Sequence, residues 1–65
     1  MKVREVIKAI EADGWHQVRQ RGSHRHFQHR TKSGTVTVPG HLADEMAPKT
    51  LSSIWKRAKM KGVRR

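Results

Sequence analysis

The chain has 65 residues, no cysteine, and 15 Lys and Arg against five Asp and Glu, a formal net charge of +10. That length suits one domain, 1–65, with a small core, and the missing cysteine excludes disulfides and thiolate metal sites. There is no apolar run of membrane-spanning length and no apolar h-region of a signal peptide at the start, so a cytoplasmic location is expected.

The charge excess calls for a polyanion or an acidic partner. A membrane-surface protein would concentrate its charge on one long amphipathic helix, whereas here it is spread over helices, strands and tail. Nucleic acid or an acidic protein remains.

In chain order, VREVIKAIEADGW reads first as a helix. Val3, Val6, Ile7 and Ile10 recur at helical spacing and form one apolar stripe. Gly14 stands where a C-terminal cap glycine belongs. WHQVRQR and HRHFQHRT then read as the strands of a hairpin around Gly22-Ser23, with glycine first in the two-residue loop as a type II′ turn requires. This turn sets Arg21 opposite His24, Gln20 opposite Arg25, Arg19 opposite His26, Val18 opposite Phe27, and His16 opposite His29. Opposed residues share a face of the sheet. Val18, Phe27, His16 and His29 are therefore expected on one face. Arg19, Arg21, His24, His26, Gln17 and Gln28 are expected on the other.

A second turn is expected at Ser33-Gly34, pairing Lys32 with Thr35, Thr31 with Val36, and His29 with Val38. Val36 and Val38 then join Val18 and Phe27, and the agreement between the two turns supports the register. PGHLADEMAP reads as a loop. PKTLSSIWKRAKMKG reads as a second helix with Pro48 in its first turn, an apolar stripe of Leu51, Ile54, Trp55 and Ala58, and a cationic C-terminal half. The basic end, 60–65, is expected to fray. The result is an α+β fold of order α-β-β-β-α. Both helices cover one face of a three-stranded antiparallel sheet, as in the double-stranded-RNA-binding fold.

The open face carries the candidate chemistry. His24 and His26 stand beside Arg19 and Arg21 next to a tight glycine turn. Guanidinium groups grip phosphate oxygens in bidentate fashion, and a neutral imidazole can take a proton from a hydroxyl near pH 7. Arg25 is a weaker candidate, because it faces inward. Inert polar surface and nucleic-acid binding without chemistry compete with this reading. So does zinc on His24-x-His26, but no third ligand is in view and the arginines would repel a cation. Ser23 and His24 point to opposite faces, which argues against a serine–histidine pair.

With these residues in place, the chain resembles the HicA toxins of HicA–HicB toxin–antitoxin systems. The matching stretches are DGW (13–15), RQRGSHRHF (19–27), TVTVP (35–39) and KTLSSIWKRA (49–58), with Gly22-Ser23-His24 followed by Phe27 as the sharpest feature. The resemblance implies an mRNA interferase, a metal-independent endoribonuclease that uses no cofactor. His24 would be its catalytic residue. From their own places beside it, Arg19, Arg21 and, as the weakest of the three, Arg25 are expected to hold the RNA backbone, with His26 assisting. It also implies a HicB-like antitoxin that covers the active face, with DNA reached only through the toxin–antitoxin complex. Two features depart from the pattern: the long acidic loop GHLADEMAP, with Lys49 where glycine is frequent, and the basic end. A binding-only RNA or DNA module and an adaptor for an acidic protein are the rival readings.

Overall fold

The computed structural model describes residues 1–60. Helix α1 spans Val3–Ala12, strand β1 Trp15–Arg21, β2 His24–His29, β3 Val36–Val38, and helix α2 Pro48–Arg57. The strands form one antiparallel sheet in the order β1-β2-β3, so β2 is central. The fold class is the one expected. The fraying expected of the basic end falls, from residue 61 on, outside the described residues.

One cluster of buried side chains joins both helices to one face of the sheet. Val3, Val6 and Ile10 come from α1, Ile54 and Ala58 from α2 and its cap, and Trp15, Phe27, Val36 and Val38 from the strands. Met46 adds a contribution from the loop before α2. Leu51 and Trp55 of the expected α2 stripe are only partly buried.

The hairpin follows the expected register near its turn. Arg21 faces His24, Gln20 faces Arg25, and Arg19 faces His26. Gly22 has φ +58°, as its place in the turn demands. Beyond Arg19 the register departs from expectation. A β-bulge at Val18 moves the pairing by one, so that Gln17 faces Phe27, His16 faces Gln28, and Trp15 faces His29. Val18 is consequently not core but 48% exposed, and Trp15 is 2% exposed in its place. The energetic preference is plain. Burying a tryptophan removes about 150–250 Å² from water, or roughly 4–6 kcal/mol at ~25 cal/mol per Å², against about 1.5–3 kcal/mol for a valine side chain. One extra residue in β1 lets the larger side chain reach the core.

The second hairpin differs more. Val36 pairs with Phe27, not Thr31, and Val38 pairs with Arg25, not His29. The displacement is four positions. Being even, it leaves Val36 and Val38 on the face expected for them. Ser33-Gly34 is not a tight two-residue hairpin turn: the chain bends immediately after β2, around the His29 ring, and again at Gly34, whose φ is +86°. Backbone N–H groups of Thr31 and Lys32 both donate to His29 Nδ1 at 3.1 Å. Lys32 then extends its ammonium to the Asp13 carboxylate at 2.6 Å and to the carbonyls of Ala58 and Lys59 at 3.1 and 3.2 Å. A cation here satisfies acceptors at the C-terminal ends of both helices.

The acidic loop caps α1. The N–H groups of Val3 and Arg4, which have no partner inside the helix, donate to the carbonyls of Asp44 and Leu42 at 2.9 and 3.1 Å. Helix α2 stops earlier than the sequence pattern suggests. Lys59 adopts φ +54°, and the N–H groups of Lys59 and Met60 return to the carbonyls of Lys56 and Trp55. This is a Schellman ending built on lysine where glycine is usual.

Gly14 is the most constrained of the glycines at 14, 22, 34 and 40. Its φ is +106°, and a Cβ would stand 2.7 Å from His29 Nε2. Gly14→Ala is expected to lose roughly 2–3 kcal/mol, combining left-handed strain with displacement of the His29 hydrogen bond. Gly22→Ala, with φ +58° and open space around it, should lose only about 1 kcal/mol. Urea unfolding of the two variants checks the ranking.

Candidate functional site

The pleat of β2 sorts the histidines of RGSHRHFQHR. Phe27 is fully buried, which places Arg25 and His29 on its side and His24 and His26 on the opposite side. His29 is structural. Its Nε2 lies 2.6 Å from the Asp13 carbonyl oxygen, and its Nδ1 accepts backbone N–H groups. Only the neutral ring carrying its proton on Nε2 satisfies all of these partners. Its edge meets Trp15 in a T-shaped contact with centroids 5.2 Å apart.

His26 is half-buried, and its Nδ1 lies 3.0 Å from Thr37 Oγ1 on β3. The four-position displacement of β3 creates this contact by setting Thr37 opposite His26. His24 is exposed and directly follows the turn. Arg21 stands opposite His24 and Arg19 opposite His26, both exposed on the same face. Directly opposed side chains start about 4.5–5.5 Å apart at Cβ, within easy reach of one shared anion. Arg25 does not join this group. Its Nη1 donates to the carbonyls of Gly40 at 3.1 Å and Ser23 at 3.5 Å, tying the turn and the start of the acidic loop to β2.

The structure adds a second wall that the hairpin alone does not reveal. His24 borders a groove of about 340 Å³ lined by Thr37, Pro39, Thr50, Ser53, Ile54 and Arg57. Thr50, Ser53 and Arg57 recur at i, i+3 and i+7 and so share one face of α2. Ile54, 3% exposed, anchors that face to the core. The periodicity was available in the sequence. What it lacked was the position of this face beside β2 and β3, which depends on how α2 packs.

The groove collects an imidazole, hydroxyls and a guanidinium over a partly apolar floor. The ion pairs among the described residues join Glu45 to the N-terminal amine and Asp13 to Lys32; none involves Arg19, Arg21 or Arg57. His24 and His26 are not joined by a third metal-ligating side chain among the described residues. Uncompensated cations beside hydroxyls form a surface suited to phosphate oxygens and ribose.

Fold and site together define a small basic α+β domain whose histidine–arginine face meets a polar helix wall. The family model described as "HicA toxin of bacterial toxin-antitoxin" matches residues 3–60, and the chain belongs to this HicA toxin family. It is thus a toxin of a toxin–antitoxin system. A search of curated proteins finds no match. No helix among the described residues is long and apolar enough to cross a membrane.

The Asp13 corner has a defined pH response. The Lys32 hydrogen bond, reinforced by its charge, holds the Asp13 carboxyl below the ordinary 3.8, against a smaller opposing effect of burial. A depressed carboxylate stabilises the fold above its unfolded value and loses that contribution as pH falls through the folded one. Asp13→Asn is therefore expected to be less stable than the parent at neutral pH, with the gap closing below pH 3.8. Thermal melts of both proteins from pH 7 to pH 2 check the direction.

Proposed function

We propose that this toxin is an endoribonuclease that needs no metal ion and uses His24 as its general base. The observation that carries this reading is the placement of His24: exposed, held by a two-residue turn, opposite Arg21, and lining the groove that Thr37, Thr50 and Ser53 also line. Family membership supports it.

In the proposed reaction the RNA 2′-oxygen attacks the adjacent phosphorus, and its proton passes to the His24 imidazole. The bond from phosphorus to the 5′-oxygen breaks. That oxygen leaves with a proton from water, and imidazolium returns its proton to the resulting hydroxide. The products are a 2′,3′-cyclic phosphate and a 5′-hydroxyl, with no net consumption of water.

Arg19 and Arg21 hold the flanking backbone by charge-assisted hydrogen bonds. His26 fixes Thr37 at the groove wall. Arg25 serves the site indirectly, by holding Gly40 and the turn in place. An acidic HicB-like antitoxin covers the open face and blocks RNA both sterically and electrostatically. Hydrogen exchange on the complex should then show protection of β1 and β2 near the turn. Protection confined to the helices would refute direct masking.

Labelled RNA incubated with the protein in EDTA tests the activity. Cleavage ending in a cyclic phosphate is expected, and His24→Ala should slow it by roughly two to four orders of magnitude. The exposed His24 makes few packing contacts, so the variant should melt close to the parent. Near-parental cleavage by His24→Ala would remove His24 from the reaction. Retention of RNA without cleavage would identify a binding module instead.

A further inference from the structure

We propose that Arg57, on the last turn of α2, is a further substrate-binding residue of the groove, where it grips a phosphate of the RNA beside His24. This inference rests on the proposed function for the nature of the substrate, and it extends the site from the hairpin to the second helix.

The first support is position. Arg57 lines the same groove as His24, and Ser53 and Thr50 continue its wall one and two turns back along α2. The second is charge. Arg57 is exposed and has no carboxylate within ion-pair distance among the described residues. The third comes from its neighbour. Lys56 and Arg57 both lie in the last turn of α2, where either cation complements the helix dipole. That general role does not explain why they diverge. Lys56 borders a different groove, with Trp55, Lys59 and Met60, whereas Arg57 lines the groove that His24 also lines.

The chemistry of the wall fits a ribose-phosphate unit. A guanidinium offers paired N–H donors to two oxygens of one phosphate. Thr37, Thr50 and Ser53 offer hydroxyls that both donate and accept, matching ribose hydroxyls. Pro39 and Ile54 leave a small apolar floor for the sugar ring. Arg19 and Arg21 on the sheet and Arg57 on the helix would then hold the backbone from two sides, with His24 between them. A phosphate gripped from two sides has fewer orientations open to it, which favours in-line approach of the neighbouring 2′-oxygen.

The test compares two charge deletions in the same helical turn. A short single-stranded RNA carrying 2′-O-methyl groups throughout cannot be cleaved by 2′-oxygen attack, so its affinity is measurable whether or not the protein is a nuclease. Arg57→Ala is expected to weaken its binding about tenfold and to lower the slope of log K against log salt by about 0.7. Lys56→Ala removes the same charge from the other groove and should change affinity by less than about twofold. Arg57→Lys should restore part of the loss. Thermal melts establish that each variant is folded.

Equal weakening by Arg57→Ala and Lys56→Ala would overturn the inference, since it would show a diffuse effect of net charge. Unchanged affinity in Arg57→Ala would overturn it as well. If the parent protein fails to cleave unmodified RNA, the proposed nuclease reading falls, and the binding comparison still decides the role of Arg57. If the parent cleaves, single-turnover rates at saturating RNA add a second readout. A drop in Arg57→Ala of about tenfold or more, absent in Lys56→Ala, would place the guanidinium on the phosphate that reacts.

Discussion

Phe27 is fully buried at the middle of the central strand, and its burial sets the phase of every side chain on β2. A strand alternates strictly, so fixing one residue inward fixes its neighbours outward. With Phe27 against the helices, His26 must face the open side, and so must His24 two residues earlier. His29 must face inward, where it packs on Trp15 and organises the next turn. Slipping β2 by one residue would bury His24 and His26 without partners and expose Phe27. The fold opposes this with both the hydrophobic energy of the ring and the desolvation of two imidazoles.

The inward-facing histidine organises more of the molecule than its position suggests. Its ring accepts two backbone N–H groups and donates to the last residue of the α1 cap. Lys32, delivered by that turn, bridges Asp13 to the C-terminal carbonyls of α2. One imidazole and one ammonium thus join β2 to the C-terminal ends of both helices. Gly14 completes the corner because any Cβ there would collide with the imidazole. At the opposite end, the acidic loop supplies carbonyls to the first turn of α1 and buries Met46. The acidic loop is thus a cap, and its backbone rather than its carboxylates supplies these contacts.

These two corners hold α2 beside the short strand β3, and that placement makes the groove. The sheet contributes His24 and Thr37, and the helix contributes Thr50, Ser53 and Arg57. A charged hairpin becomes a concave site only when a second wall stands next to it. The site therefore belongs to the tertiary arrangement as much as to the GSH turn.

The sequence by itself determined the element order, the Gly22-Ser23 turn, the register beside it, and the side of the sheet that His24 and His26 occupy. Local rules suffice for these: helical periodicity, turn chemistry, and alternation along a strand anchored by one aromatic residue. It did not determine that Trp15 enters the core in place of Val18. A bulge is selected by comparing how two side chains fill a cavity, and neither the alternation pattern nor the turn records that comparison. Nor did it determine the pairing of β3. Val36 and Val38 face inward at any even displacement, so polarity alone could not separate Thr31 from Phe27 as the partner of Val36. Hydrogen bonds to the His29 ring and the reach of Lys32 decided that register. The second wall of the groove was likewise decided by tertiary packing. The spacing of Thr50, Ser53 and Arg57 places them on one helix face, and the packing of α2, with Ile54 buried in the core, sets that face on the groove that His24 lines.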